Sequence, residues 1–425
     1  MSFGMPVLAA RRVGGGGGDP AGTVGPIALA YRSSTAAVSP DNPIPFDNEV
    51  YDNEDVITPT SANFAIPSDG IYRMSMVASH STNVGVKQGL DSSAVEGGYG
   101  EANDLTTPYW KSGISAPIPM TSGENAQMLA AYGSINLGQN GGFYSACCLE
   151  RLPSDLKYAR LARATTLTGH TSGVIAWDSE VTDTDGFYDS GSPTRLTIPS
   201  GVSRVRVTAN LESANYSGYI DVRIYKNGAL ASGCVRKISG RGGLKMVNLA
   251  SAPLEVTAGD YFELYVEHAA AQSIAPAPQT WLAIEEVPSS HVYALVEASG
   301  SQSITSSSNI MLFDTEVSDS ENMHSTSTNT GRLTVPAGVT YARAYFNGVT
   351  SASTANAAWV DVLLNGSTFA GIAADKCDNN NGSTKGMSGV SAWVAVSEGD
   401  YFEVRADTQG ITTSMNTCWF ALECR

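Results

Sequence analysis

The sequence predicts an all-β chain: three tandem jelly-roll β-sandwich domains behind a flexible, glycine-rich N-terminal segment. Three observations lead there. A phrase recurs, "TRLTIPSGV" at 194–202 and "GRLTVPAGV" at 331–339, with further matching phrases on both sides. Apolar residues alternate with polar ones at a period of two, over short runs bounded by turn residues. Only 16% of residues are charged, while 43 are glycine, a composition that suits strands and turns better than long solvated helices.

The repeat decides the architecture and is read first. "WDSEVTDTDG" (177–186) and "FDTEVSDSEN" (313–322) precede the two copies, and "VTAGDYFELYV" (256–266) and "VSEGDYFEVRA" (396–406) follow them. A more divergent third version runs through "FDNEVYDNED" (46–55), "ANFAIPSDGIYRMSM" (62–76) and "TSGENAQMLAA" (121–131). The junctions "ERLPSDLKYA" (150–159) and "EEVPSSHVYA" (285–294) divide the chain into 1–26, 27–152, 153–288 and 289–425. Each repeated unit has roughly 130 residues, the size of an independently cored domain and too large for a solenoid repeat. We therefore expect three separately cored beads joined by short Pro-Ser hinges.

The elements follow in order. Residues 1–26 carry apolar "MPVLAA", two arginines and a run of five glycines at 14–18, a segment with no core of its own. Met5, Val7, Leu8, Arg11 and Arg12 form a candidate attachment peg, with the glycines as a swivel. In unit 2, "RLTIPSGVSRVRVTANL" places Leu196, Ile198, Val205 and Val207 against polar neighbours, turning at Pro199-Ser200-Gly201. "YIDVRIYKNG" alternates Ile220, Val222 and Ile224 and turns at Asn227-Gly228, and "VDVLLNGS" repeats the pattern at Asn365-Gly366. Gly259-Asp260 supplies a turn before the strand "YFELYV". The six cysteines offer no metal-ligand spacing and no pair suited to a disulfide, so reduced packing thiols are expected. Cys147 and Cys148, being adjacent, point to opposite faces of one strand.

The order of these motifs resembles the globular head of the first complement component and the tumour-necrosis-factor-like jelly rolls. The pairs Phe46-Asp47, Trp177-Asp178 and Phe313-Asp314 open an acidic turn. Then come a Pro-Gly strand pair, a strand ending Asn-Gly, "GDYFEL", and a closing aromatic strand. It looks most like the versions of that unit in structural proteins of tailed phages. The resemblance covers all three units from about residue 27. Unit 1 departs most, with "GENAQM" in place of "GDYFEL". The resemblance implies ten-stranded sandwiches that associate as homotrimers around aromatic inner faces. The sequence itself offers more aromatic strand positions than one small core needs, Tyr261, Phe262, Tyr265, Trp281, Tyr401, Phe402 and Trp419, as in strands covered on both faces by another sheet or another subunit. It also implies a virion surface protein, a head spike or a tail or neck fibre. Such a protein joins other virion proteins through its N-terminus and meets a host surface glycan. The rival roles are a purely architectural decoration protein and a capsule-degrading glycosidase.

The net charge of −16 argues against nucleic acid as the main partner. No apolar run is long enough to span a membrane. At the start, Arg11 and Arg12 follow the apolar stretch instead of preceding it, so synthesis in a host cytoplasm is expected. No nucleophile elbow or phosphate loop appears, and the five histidines share no repeat position, so no enzyme activity, catalytic residue or cofactor is expected. The acidic turns (Asp47, Glu49, Asp52, Glu54, Asp55; Asp178, Glu180, Asp183, Asp185, Asp189; Asp314, Glu316, Asp319, Glu321) offer oxygen ligands to Ca²⁺. A solvated strand-to-loop passage is the preferred reading of them, and no metal site is assigned. Ligand-binding candidates lie where the units differ: Tyr109 and Trp110, the basic cluster Arg236, Lys237, Arg241 and Lys245, and Asn379 and Asn380 in a polar loop.

Overall fold

The computed structural model describes residues 24–34, 36–57, 61–80, 85–95, 97–98, 100–101, 109–131, 135–137, 145–214, 218–240, 245–305, 309–350, 358–369, 371–377, 385–408 and 413–425. Among these, all regular structure is β-strand apart from turns and bends, and the pairings are antiparallel. Each unit is a two-layered β-sandwich, its layers joined in unit 2 where Ser213 and Ala214 pair with Ile274 and Ser273, and the duplication is visible as one strand order used three times.

The inner sheet of unit 1 runs Asn48–Asp52, Gly25–Arg32, Ser145–Leu152, Gly70–His80, Tyr109–Ile114. Unit 2 repeats it as Ser179–Asp183, Tyr158–Ala162, Trp281–Glu286, Arg204–Ala214, Lys245–Ala250. Unit 3 repeats it as Thr315–Asp319, Val292–Ala298, Thr413–Cys424, Tyr341–Thr350, Lys385–Val390. The outer sheets correspond equally well: Asn125–Ala131 pairs with Gly85–Leu90, Tyr261–Ile274 with Gly218–Lys226, and Tyr401–Thr408 with Ala358–Leu364.

Local sequence explains the turns. Asn227 and Gly228 both have positive φ (54° and 79°), as do Asn365 and Gly366 (51° and 74°), the mirror-image two-residue turn that matches strand twist. In each case the asparagine donates to an aspartate of the facing turn, Asn227 to Asp260 (2.7 Å) and Asn365 to Asp400 (2.8 Å). Unit 1 keeps the facing turn despite its altered motif. Glu124 accepts the Thr121 N–H as Asp260 accepts that of Thr257 and Asp400 that of Ser397.

The units do not stand apart as beads. Their closing strands are buried on both faces, and alternate side chains enter different cores. In Ser145–Leu152, Cys147 and Leu149 fill unit 1, while Ala146 and Cys148 pack with unit 3. In Trp281–Glu286, Leu282 and Ile284 fill unit 2, while Trp281 and Ala283 meet Ala116 of unit 1. In Thr413–Cys424, Phe420 and Leu422 fill unit 3, while Trp419 and Ala421 join the core of unit 2. A strand rich in apolar residues on both faces is one covered from both sides, and here the second cover is a sister unit. Unit 1 thus turns toward unit 3, unit 2 toward unit 1, and unit 3 toward unit 2, which closes a cycle.

Hydrogen bonds cross every seam. Asn248 pairs with the backbone of Ile114 (3.1 and 3.2 Å) between units 2 and 1. Tyr293 Oη donates to Glu255 (2.9 Å) between units 3 and 2. Tyr51 Oη donates to the Trp393 carbonyl (3.0 Å) between units 1 and 3. The Ala374–Cys377 strand of unit 3 even bridges to Tyr109–Ile114 of unit 1, making one continuous sheet. The expected Pro-Ser hinges are packed turns, closed by Leu156 N–H to Pro153 O (3.2 Å) and His291 N–H to Pro288 O (3.0 Å). Cys147, Cys148, Cys234, Cys418 and Cys424 are buried and free.

Candidate functional site

Where the three inner sheets converge, each contributes one arginine and one glutamate at corresponding positions. Arg73 lies opposite Glu150 in the strand register, Arg206 opposite Glu285, and Arg343 opposite Glu423. The side chains then link across units. Arg73 reaches Glu150 (3.2 Å) and Glu285 of unit 2. Arg206 bonds Glu285 and Glu423 of unit 3. Arg343 reaches back to Glu150 of unit 1 (3.0 Å). All six side chains are at most 4% exposed. Tyr345 Oη (2.6 Å) and His291 Nδ1 (2.8 Å) complete the partners of Glu423.

Buried carboxylates survive as ions only when paired. Burial works to raise the Glu150 carboxyl, but Arg343 and Arg73 outweigh it and hold the group at about 2. Glu423 is likewise opposed by burial, yet Arg206 and the His291 hydrogen bond keep it well below the usual carboxylate range. The arginines around them hold these acids in the ionised form, which suits them to fixing structure. Over the ring, a cavity of about 20 Å³, room for one water, is lined by Val24, Leu152, Leu156, Pro288, His291 and Arg425 among others.

A second polar layer lies farther along. Asp375 of unit 3 accepts from Lys111 of unit 1, from Arg236 of unit 2 (3.2 Å) and from the Ser388 N–H (3.0 Å). This corrects the reading of Arg236 and Lys245 as ligand-binding members of the basic cluster. Arg236 and Lys245 are fully buried, because the strand that carries Arg236 lies against unit 3. Lys237 is half-buried over the Tyr219 ring (4.0 Å). Arg241, Asn379 and Asn380 lie outside the described residues, as do Met5, Val7, Leu8, Arg11 and Arg12. Tyr109 and Trp110, expected in a loop, occupy strand positions opposite His80 and Ser79.

The acidic turns are used locally. Asp183 accepts the N–H groups of Asp185, Gly186, Phe187 and Tyr188 (2.8–3.2 Å). Asp52 and Asp319 do the same for their own turns. Asp47, Asp178 and Asp314 each clamp the chain end of the preceding strand, at Ser33, Ala164 and Ser299. The Ser299 hydroxyl and N–H lower the Asp314 carboxyl; burial works to raise that of Asp178, but the Thr165 hydroxyl, the Ala164 N–H and Arg163 together outweigh it and lower the group. Among the described residues no cluster of three or more His, Cys, Asp or Glu is placed to hold a metal.

Sequence reasoning missed the ring. Its signal is an arginine and a glutamate at one repeat position inside apolar strands: "YRMSM", "VRVTA" and "ARAYF", then "LERL", "IEEV" and "LECR". A charge that recurs in a core strand asks for a partner, and aligning the three units would have supplied it.

No protein-family model matches the chain, and no curated protein does. Among solved structures it is similar to the insecticidal delta-endotoxin Cry8Ea1 of Bacillus thuringiensis, at 10% identity and a TM-score of 0.19, over 61% of this chain. The chain spans 60% of the length of that toxin. It is also similar to a structure of infectious bursal disease virus, Gx strain, at 9% identity and a TM-score of 0.20, covering 95% of this chain and 82% of that one. The T13 particle of the same virus gives 9% identity and a TM-score of 0.19, over 98% and 82%. Likenesses of this size carry no argument about what the chain does. Among the described residues no helix is long and apolar enough to cross a membrane.

Proposed function

We propose that the chain is a structural protein of a virion exterior, of a tailed phage or phage-like particle. Its N-terminal segment attaches it, and its far end turns outward, toward a host surface polysaccharide. The reading assigns the chain a scaffold and a contact surface, and no chemistry of its own.

What supports it is the difference between the two ends of the molecule. The near end gathers the first described residue, the C-terminus and both junctions. Arg425 Nη2 donates to the Val24 carbonyl (2.6 Å), and the cavity beside them is lined by Pro153, Leu156, Pro288 and His291. From there the strands Gly70–His80, Arg204–Ala214 and Tyr341–Thr350 run away together, since Ile71 pairs with Leu152, Val205 with Glu286 and Ala342 with Cys424. Near-end turns are alike in all three units. The far end is reached at His80, Ala214 and Thr350, and the sequence that follows each differs in length and composition. A repeated anchor end and a divergent far end suit a protein held at one end and reading something at the other.

The test removes the tether alone. Because the first strand begins at Gly25, deletion of residues 1–23 leaves every described strand intact. The truncated protein is expected to fold with an unchanged melting point and to be absent from purified particles. Incorporation at the full-length level would sink the attachment role. Particles that lack the protein but adsorb normally would favour pure decoration over host contact.

A further inference from the structure

The homotrimer expectation placed a second copy of the chain against the aromatic strands. At the closing strands, Trp281–Glu286 and Thr413–Cys424, sister units take that place. Trp281 donates Nε1–H to the Gly98 carbonyl of unit 1 (3.1 Å), and Trp419 packs in the core of unit 2. We propose that one chain is a complete threefold assembly by itself: a monomer whose three units are locked in one cyclic order by the Arg73–Glu285, Arg206–Glu423 and Arg343–Glu150 links.

The ring carries the inference because it is directional and closed. Each arginine stands beside its own unit's glutamate, and each also binds the glutamate of the next unit. The third link, Arg343 to Glu150, joins the last unit to the first, so every arginine and glutamate of the ring is already in an ion pair within the one chain. Three positive and three negative side chains balance within it. An apolar seam alone tolerates slippage between similar surfaces. A buried ion pair out of register leaves uncompensated charge, which costs several times more than it returns when correctly met. The asymmetric details agree: only Glu423 also takes Tyr345 and His291, so the three positions are not interchangeable. A homotrimer must display the same loops three times. This arrangement displays three different sets on one frame.

Light scattering on the full chain across the micromolar range is expected to give the mass of one polypeptide, and a trimeric mass would overturn the proposal. Hydrogen exchange then tests the lock. With Arg206→Met, protection is expected to fall in Gly70–His80 and Tyr341–Thr350 together with Arg204–Ala214, on the order of 100-fold, the effect of stranding a buried charge. Loss confined to unit 2 would mean the units are independent beads. If Arg206→Met does not fold, Tyr345→Phe, which removes only one hydroxyl donor to Glu423, is read in the same way. A smaller loss in all three strands supports the lock, and a loss in Tyr341–Thr350 alone refutes it.

Discussion

At the scale of single residues, charge is placed in two very different ways. The aspartates of the acidic turns satisfy backbone N–H groups at the surface, while Glu150 and Glu423 face guanidinium groups in the interior. Both ring carboxyls are held below their ordinary value of 4.5, Glu150 at about 2. Their contribution to stability is therefore complete above the unfolded value and is lost as pH falls through the folded one. For Glu150 the displacement from 4.5 to about 2 corresponds to about 3 kcal/mol at neutral pH. Thermal melting is expected to hold level from neutral pH to about pH 4.5 and to fall steeply between there and about pH 2. Glu150→Gln should melt lower at neutral pH, and the gap from wild type should close toward pH 2. A gap that stays constant across that window would mean the Glu150 charge is not what the fold uses. The turn carboxylates predict a separate, local effect. Asp183→Ala strands four N–H groups on an exposed turn, with an expected cost of about 1–3 kcal/mol in a melt, unrelieved by added Ca²⁺.

Between elements, close approach is set by glycine as much as by large side chains. A Cβ on Gly386 would lie 2.4 Å from the Lys237 backbone nitrogen and 3.1 Å from Arg236 backbone atoms, so the unit 3 strand presses directly on the unit 2 strand. Backbone cannot swing aside as a side-chain tip can. Gly386→Ala is expected to cost about 1–3 kcal/mol and to lower the melting of the whole chain. Gly300→Ala, where nothing lies within 4 Å, should stay within about 0.5 kcal/mol of wild type. Equal stability of the two variants would show that this seam is loose. The same glycine marks what sequence makes legible and what it does not. The β-sandwich class, the Asn227-Gly228 and Asn365-Gly366 hairpins and the opposite faces of Cys147 and Cys148 follow from period and turn chemistry, which are local. Which partner meets Cys148, Trp281 or Arg236 is not local. A period of two says that a face is covered but carries no address for the cover. Arg236 is misplaced among the ligand-binding candidates for that reason: it looks accessible until Asp375, 139 residues away, is known to lie against it. Where repeats can be aligned, some of the address returns, since Arg73, Arg206 and Arg343 fall in one column.

For the whole molecule, the cycle has three seams but only two covalent junctions. Units 1 and 2 are joined through Pro153–Lys157 and units 2 and 3 through Val287–His291, whereas the seam between units 3 and 1 is closed by contact alone. If the seams are equivalent, the polypeptide can be opened at another one without loss. The geometry permits it, because Arg425 already touches Val24 and both junctions lie at the same end. A circular permutant that starts within Pro153–Lys157 and rejoins Arg425 to Val24 by a linker of similar length removes one covalent junction and supplies the missing one. It is expected to purify as a monomer, to melt in one transition and to do so within a few degrees of wild type. Two transitions, or an unfolded product, would show that the unit 1–unit 2 seam depends on its tether. The three contacts would then differ in kind, and the closed ring would be a consequence of chain connectivity instead of the feature that holds the units in order.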